Sequence, residues 1–337
     1  MSEENFKPLI IGVSARALFD MREESELFKT KGEEEYRAHQ ILNLKTPLKP
    51  GTVFHLIKKL MTLNEPGKAP RVEMVLITKN SAEAGHRVYE SIRHYGLDIP
   101  RAIMSKGEFE PEALKAFNID LFLSRNDNNV IASLKVGIAA AQVYDPPTNF
   151  DNKKTDIHFA FDGDRVLFGG ISEDVFLAHG LDTFVYHENA LRDCPMEFGP
   201  FAKLLFKLND LKKTYPKDQC PIKISLVTAR GEIRVLNTLH LWGDQYVDAA
   251  YMLGGGNGKG SVLQKAPLLK AIGADIFFDD SKRHTDLSAD ILPTGYVPDV
   301  QLHQPVPSLS DIMNVKSAKE KKPARSKKQS REKKPKP

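Results

Sequence analysis

The chain has 337 residues, 41% hydrophobic and 27% charged, with a formal net charge of +4. That length permits two domains with their own cores, and no stretch is apolar for long enough to cross a bilayer, which argues against a membrane-embedded role. Two cysteines, Cys194 and Cys220, make no disulfide framework, and the opening residues lack the basic-then-apolar pattern of a secretory signal, so a cytoplasmic protein with reduced thiols is expected.

In chain order, Leu9–Phe19 (LIIGVSARALF) reads as a buried strand running into a short turn. Val75–Ile77 forms a second apolar run, ending in Thr78-Lys79-Asn80 and followed by a helical segment that closes at His94-Tyr95-Gly96. Ile119–Arg125 gives a third. Pro146-Pro147-Thr148-Asn149-Phe150-Asp151 is rich in structure breakers and predicts a boundary, dividing residues 1–150 from residues 151–310. The pattern then restarts. Ile157–Phe161 predicts a strand that ends in Asp162-Gly163-Asp164, placing two carboxylates at the carboxyl edge of a sheet, the usual site of chemistry in open α/β folds. Residues 169–221 break the strand–helix rhythm. Within them Phe201, Leu204, Leu205, Leu208 and Leu211 predict an amphipathic helix, and the segment is placed to act as a small helical cap. Ile224–Val227 leads into Thr228. The glycine-rich run Gly254–Gly260 carries Lys259, and Ile276–Phe278 ends in Asp279-Asp280.

These elements recur in the same order in both halves, which predicts an internal repeat of βαβ units around parallel strands. Aligned on Leu18-Phe19 and Leu167-Phe168, Val13 faces Asp162, Ala15 faces Asp164 and Arg16 faces Arg165; Ser124 stands where the second half has Asp279. The first half therefore reads as a degenerate copy that kept the scaffold and lost the acids.

The polar strand ends of the second half suit hydrolysis of a phosphate monoester. A carboxylate can attack phosphorus, and a second one two residues on can protonate the leaving oxygen and then activate water. A hydroxyl and an ammonium can hold the phosphoryl oxygens. Carboxylates held this close together call for a divalent cation. Lys259 is preferred to Lys265 and Lys270 because its neighbouring glycines let the backbone approach a phosphate. Gly260 follows it where a nucleotide-triphosphate loop needs Ser or Thr, so that motif is ruled out.

The ordered set Asp162-x-Asp164, Thr228, Lys259 and Asp279-Asp280 resembles the motifs of the haloacid dehalogenase superfamily of phosphatases. The runs FDGDRVLF (161–168), LVTAR (226–230), LGG (253–255) and IFFDD (276–280), with VSARALFD (13–20) near the start, resemble the cytosolic 5′-nucleotidase type I family over roughly residues 8–300. The resemblance implies a haloacid-dehalogenase-like Rossmannoid parallel sheet with a small cap, preceded by the degenerate α/β repeat. It implies Mg²⁺-dependent hydrolysis of nucleoside 5′-monophosphates, AMP and pyrimidine monophosphates among them, through an aspartyl-phosphate. Asp162 would be nucleophile and metal ligand, and Asp164 the acid/base that lends its carbonyl to the metal. Thr228, Ala229, Arg230 and Lys259 would bind phosphate, while Asp279 and Asp280 complete the metal shell. Between Arg230 and Leu241 the chain is a few residues shorter than the family pattern. Phe176 and Phe184 are the candidates for stacking on a base. The resemblance allows a nucleotide effector, and pairing of subunits through the degenerate half is a further option.

The alternative is a phosphatase or phosphotransferase of the same superfamily acting on another small monoester. A nucleotide-sensing scaffold is the non-enzymatic alternative, opposed by the intact acids. Residues 316–337 carry eleven Lys/Arg and two Glu, a charge of +9 that leaves the other 315 residues at −5. Residues 316–337 have no apolar side chain larger than alanine, and residues 311–337 read as a disordered basic tail with weak affinity for polyanions.

Overall fold

The computed structural model describes residues 6–79, 82–105, 107–148, 150, 154–216, 219–230, 232–243, 247–254, 265–300 and 307–310, with no side-chain account of 82–84 and 232–233. The basic tail and Lys259 lie outside the described residues.

The first half runs β1 (Leu9–Ser14), α1 (Ala15–Leu18), β2 (Phe19–Asp20), α2 (Arg22–Leu42), β3 (Lys49–Pro50), α3 (Phe54–Met61), β4 (Val72–Thr78), α4 (Ala82–His94), β5 (Arg101–Met104), α5 (Pro111–Ala116), β6 (Leu121–Ser124), α6 (Asp127–Lys135) and β7 (Ala139–Val143). The second runs β8 (Ile157–Phe161), a wide helical turn (Gly163–Leu167), α7 (Ile171–Ala190), α8 (Ala202–Lys212), β9 (Ile222–Thr228), α9 (Glu232–Trp242), β10 (Ala249–Met252), α10 (Lys265–Ile272), β11 (Ile276–Asp279), α11 (Lys282–Ala289) and β12 (Thr294–Tyr296).

Ten strands form one mostly parallel sheet in the order β10-β9-β8-β11-β12-β7-β6-β1-β4-β5. Strands β1, β8 and β9 are almost continuously buried apolar runs, as expected of a parallel sheet buried on both faces. This is a Rossmannoid α/β architecture. Reading outward from the centre, β12-β11-β8-β9-β10 on one side matches β7-β6-β1-β4-β5 on the other, position for position. The seam is the antiparallel pair β12–β7, with Gly295 opposite Val143. A side chain at Gly295 would come within 2.8 Å of Ala141 and of the Phe278 ring, so glycine permits the close approach. The halves are thus related by an approximate two-fold axis and share one apolar core. They also exchange contacts. Lys59 of α3 donates to Asp275 in the second half at 2.7 Å, and Lys207 of α8 donates to the Lys7 carbonyl in the first at 2.6 Å.

The strand registers correct the repeat alignment by one residue. Ile11 and Phe159 take the same place, each beside the equivalent residue of its neighbours: Met74 and Ile224, Leu121 and Ile276. Ser14 therefore corresponds to Asp162 and Arg16 to Asp164, in place of the Val13 and Ala15 pairings. The slip has a physical cause. The turn after β8 has five residues where α1 has four, so an alignment anchored on the following Leu-Phe pair carries the extra residue back into the strand.

The helix expected from Phe201 to Leu211 is present as α8, with Leu204, Leu205, Leu208 and Leu211 buried. Residues 169–221 are not peculiar to the second half, however, because α2 and α3 stand where α7 and α8 do. Both long helices break at a glycine with positive φ, Gly32 (84°) in α2 and Gly180 (79°) in α7. No helix among the described residues is long and apolar enough to cross a membrane.

Candidate active site

The carboxyl ends of β8, β9 and β11 bring the sequence-predicted residues together. Parallel pairing sets β8 between β9 and β11, so Asp162, Thr228 and Asp279 emerge at one edge. Behind them, Phe161 stacks on Phe278 at 5.4 Å between centroids and Phe201 packs on Phe278 at 4.9 Å, a rigid base for the polar groups. Carboxylate oxygens of Asp162, Asp279 and Asp280 lie within 4.8 Å of one another.

Lys265, the first residue of α10, occupies the centre. Its ammonium is 2.7 Å from Asp162 Oδ1 and 2.7 Å from Asp279 Oδ2. Burial opposes its charge, yet the two carboxylates outweigh that and raise its pKa. The sequence favours Lys259, which lies outside the described residues, over Lys265. The signal for Lys265 is its position at the start of the helix that leads into β11.

The electrostatics point to a cation. Were all three carboxylates ionised, they would leave an excess of two negative charges over the one ammonium. Burial raises the pKa of Asp162; Lys265 opposes this, while Asp279 and Asp164 reinforce it. Asp280 is pushed up to about 8 by burial and then by the repulsion of Asp162 and Asp279. Asp279 stays below its ordinary value despite burial, because His284 (3.3 Å), Lys265 and the Ser281 N–H (2.8 Å) all bind it. A hard divalent cation with oxygen ligands fits this donor set in both charge and type.

Asp164 sits apart from that cluster. Its carboxylate accepts from Arg230 Nε, and Arg230 also donates to Glu188 at 2.8 Å. Burial works against the guanidinium, but Asp164 and Glu188 hold it firmly charged. Arg230 is thus a buried bridge between α7 and the Asp-x-Asp turn. Arg234 donates to the other oxygen of Glu188 at 2.6 Å and to Ser172 at 2.9 Å. Glu188 and Arg234 were not foreseen, since single polar residues on long helices give no periodic signal. Arg165 takes φ 55°, a left-handed conformation rare for a non-glycine residue, and ion pairs to Asp174 (2.6 Å) and Asp299 hold it there.

Thr228 is fully buried and its Oγ1 accepts from the Arg230 N–H at 3.1 Å. A side chain at Gly163 would meet that Oγ1 at 3.0 Å and the Phe168 ring at 3.1 Å, so glycine keeps the turn close to Thr228. Ala229 is exposed and can offer only its backbone. Phe176 and Phe184 meet edge to face at 5.9 Å. Phe184 lies 5.6 Å beneath the Arg230 guanidinium, which ties the aromatic pair to the Asp164 side of the site.

A family model described as 5′-nucleotidase matches residues 1–304. The human protein "Cytosolic 5'-nucleotidase 1B" is 33% identical over 292 residues, covering 82% of this chain and 47% of that protein. The chain thus spans about half the length of that relative. No solved structure matches it significantly. With nearly the whole chain covered by the family model, and an acid-rich strand edge at its centre, the chain belongs to the 5′-nucleotidase family.

Proposed function

We propose that the chain is a Mg²⁺-dependent 5′-nucleotidase of haloacid-dehalogenase type, releasing phosphate from nucleoside 5′-monophosphates such as AMP and pyrimidine monophosphates. The observation that carries this reading is Lys265 bridging Asp162 and Asp279 beside Asp280, at a strand edge shared with Thr228.

In this reading Asp162 attacks phosphorus and Asp164 protonates the departing ribose oxygen. Asp164 then takes a proton from the water that hydrolyses the aspartyl-phosphate. Arg230 orients Asp164 and keeps its carboxylate from turning toward the cation cluster. Lys265 takes the phosphate-binding place expected of Lys259, with Thr228 Oγ1 and the Ala229 N–H as further donors. Asp162, Asp279 and Asp280 would hold Mg²⁺, which supplies positive charge to the phosphoryl group when bound. Phe176 and Phe184 offer a face to the base, and α7 serves as the cap that carries them.

The test is phosphate release from AMP, CMP and a sugar phosphate, each with Mg²⁺ or with EDTA. Release from the nucleotides in Mg²⁺ alone is expected. A preference for the sugar ester would move the activity to another monoester, and EDTA-insensitive release would remove the cation from the account.

A further inference from the structure

The degenerate half contains a cavity of about 560 Å³, well inside the range of small-molecule sites, and it opens at the strand edge equivalent to the active site. Ser14, Thr78 and Ser124 line it, in the places of Asp162, Thr228 and Asp279. Its chemistry is reversed. Arg16 replaces Asp164, and Arg125, following Ser124, replaces Asp280. Glu110 replaces Lys265, by the register that pairs Asn118 with Gly273, both at positive φ at the ends of equivalent helices. Four cationic residues and two acidic ones line the cavity, and one of those acids, Glu24, is already paired with Arg87 at 2.8 Å. Such a site has no use for a divalent cation and suits an anion.

Three observations show that the cavity is more than a relic. Arg16 makes no ion pair or hydrogen bond among the described residues; burial and then repulsion from Arg125 lower its pKa, with Tyr36 acting in the opposite sense. Ser14 Oγ is buried with no hydrogen-bond partner among the described residues. Phe28 and Tyr36, which also line the cavity, meet edge to face at 5.6 Å. They stand four residues on each side of Gly32, as Phe176 and Phe184 do around Gly180. The first half has thus kept an aromatic pair on a kinked helix above its strand edge, while trading carboxylates for arginines.

We propose that this cavity is a second ligand site, which binds a nucleoside 5′-phosphate without a metal ion. The phosphate would meet Arg16, Ser14 and Thr78, and the base would meet Phe28 and Tyr36. The assignment of a nucleoside, as distinct from a bare anion, rests on the reading of Phe176 and Phe184 above.

The test is calorimetric binding of AMP to the full chain in EDTA, with turnover in Mg²⁺ measured on the same preparations. Saturable binding in EDTA is expected, weakened at least tenfold by Arg16→Glu and severalfold by Phe28→Ala, and little changed by Lys265→Ala. Both first-half variants should keep turnover in Mg²⁺, which shows them folded. Should Arg16→Glu fail to fold, Ser14→Leu, which fills the cavity, is expected to give the same loss. Absence of binding in EDTA, or a loss from Lys265→Ala as large as that from Arg16→Glu, overturns the site. Inorganic phosphate competing as well as AMP overturns the nucleoside assignment. Arg16-dependent binding without AMP hydrolysis would sink the proposed function and leave this inference standing.

Discussion

The two halves of this protein are the same fold with opposite charge at the same edge. Strand for strand they superpose in order, and even the glycine kinks of α2 and α7 correspond. At the strand ends the second half has Asp162, Asp164, Asp279 and Asp280, where the first has Ser14, Arg16, Ser124 and Arg125. The scaffold is set by buried apolar runs and the seam, which the halves need equally. The chemistry is set by a few polar side chains at strand ends, which the scaffold tolerates in either sign. In the proposed reading, fold and activity are therefore separable within one chain.

The largest expected contrast is between equivalent positions. Asp162→Asn should cut phosphate release by more than about 10³-fold, as loss of a nucleophile does. Ser14→Ala, at the matching place, should leave it unchanged. Steady-state turnover of AMP measures both, and equal losses would erase the distinction between the halves. Lys265→Ala should cost about 10²–10³-fold in kcat, the range for removing one donor to a transition-state oxyanion. Glu110→Ala should cost nothing, and Lys259→Ala less than Lys265→Ala.

Stability should differ as well. Asp275 is buried, binding the His158 N–H at 2.9 Å and Lys59 across the seam at 2.7 Å. Its counterpart Asp120 is partly buried and binds the Ile10 N–H at 2.9 Å. Breaking the buried pair with Asp275→Ala should destabilise by about 3 kcal/mol. Asp120→Ala should cost about 1 kcal/mol, by denaturant unfolding. Equal costs would mean that the Lys59 contact adds nothing.

The last contrast is in acid. Burial opposes the charge of Glu188, but His187, Arg230 and Arg234 hold its pKa down to about 2. Gln40 takes the equivalent place in α2 and cannot titrate. A depressed carboxyl stabilises the fold above its unfolded pKa of about 4.3, and that contribution fades as pH falls toward the folded value. At pH 7 it amounts to up to about 3 kcal/mol. Wild type and Glu188→Gln should thus differ most at pH 6–7 and converge as pH drops from about 4 toward 2, whereas Gln40→Ala should give a gap independent of pH.

Much of this was legible in the sequence. The repeat, the strand ends and the acidic pair stand out because buried strands end abruptly in polar residues. The one-residue slip was not, since the extra residue lies in a turn with no periodicity. That slip matters: pairing Ala15 with Asp164 conceals the change of acid to arginine that gives the first half its character. Lys259 stands out in the sequence because glycines surround it, whereas the partners of Lys265, at a helix start, are revealed only once β8 and β11 are side by side. Glu188 and its arginines are tertiary contacts across 42 and 46 positions, beyond any local pattern.

The central claim is that phosphoryl chemistry passes through Asp162 alone. Acid-quenching the protein during turnover of AMP labelled in its phosphate, followed by peptide mapping, tests it directly. The account predicts label on the peptide bearing Asp162, lost in Asp162→Asn, and none on the peptide bearing Ser14. Undiminished turnover by Asp162→Asn, or label carried on any other residue, would contradict it.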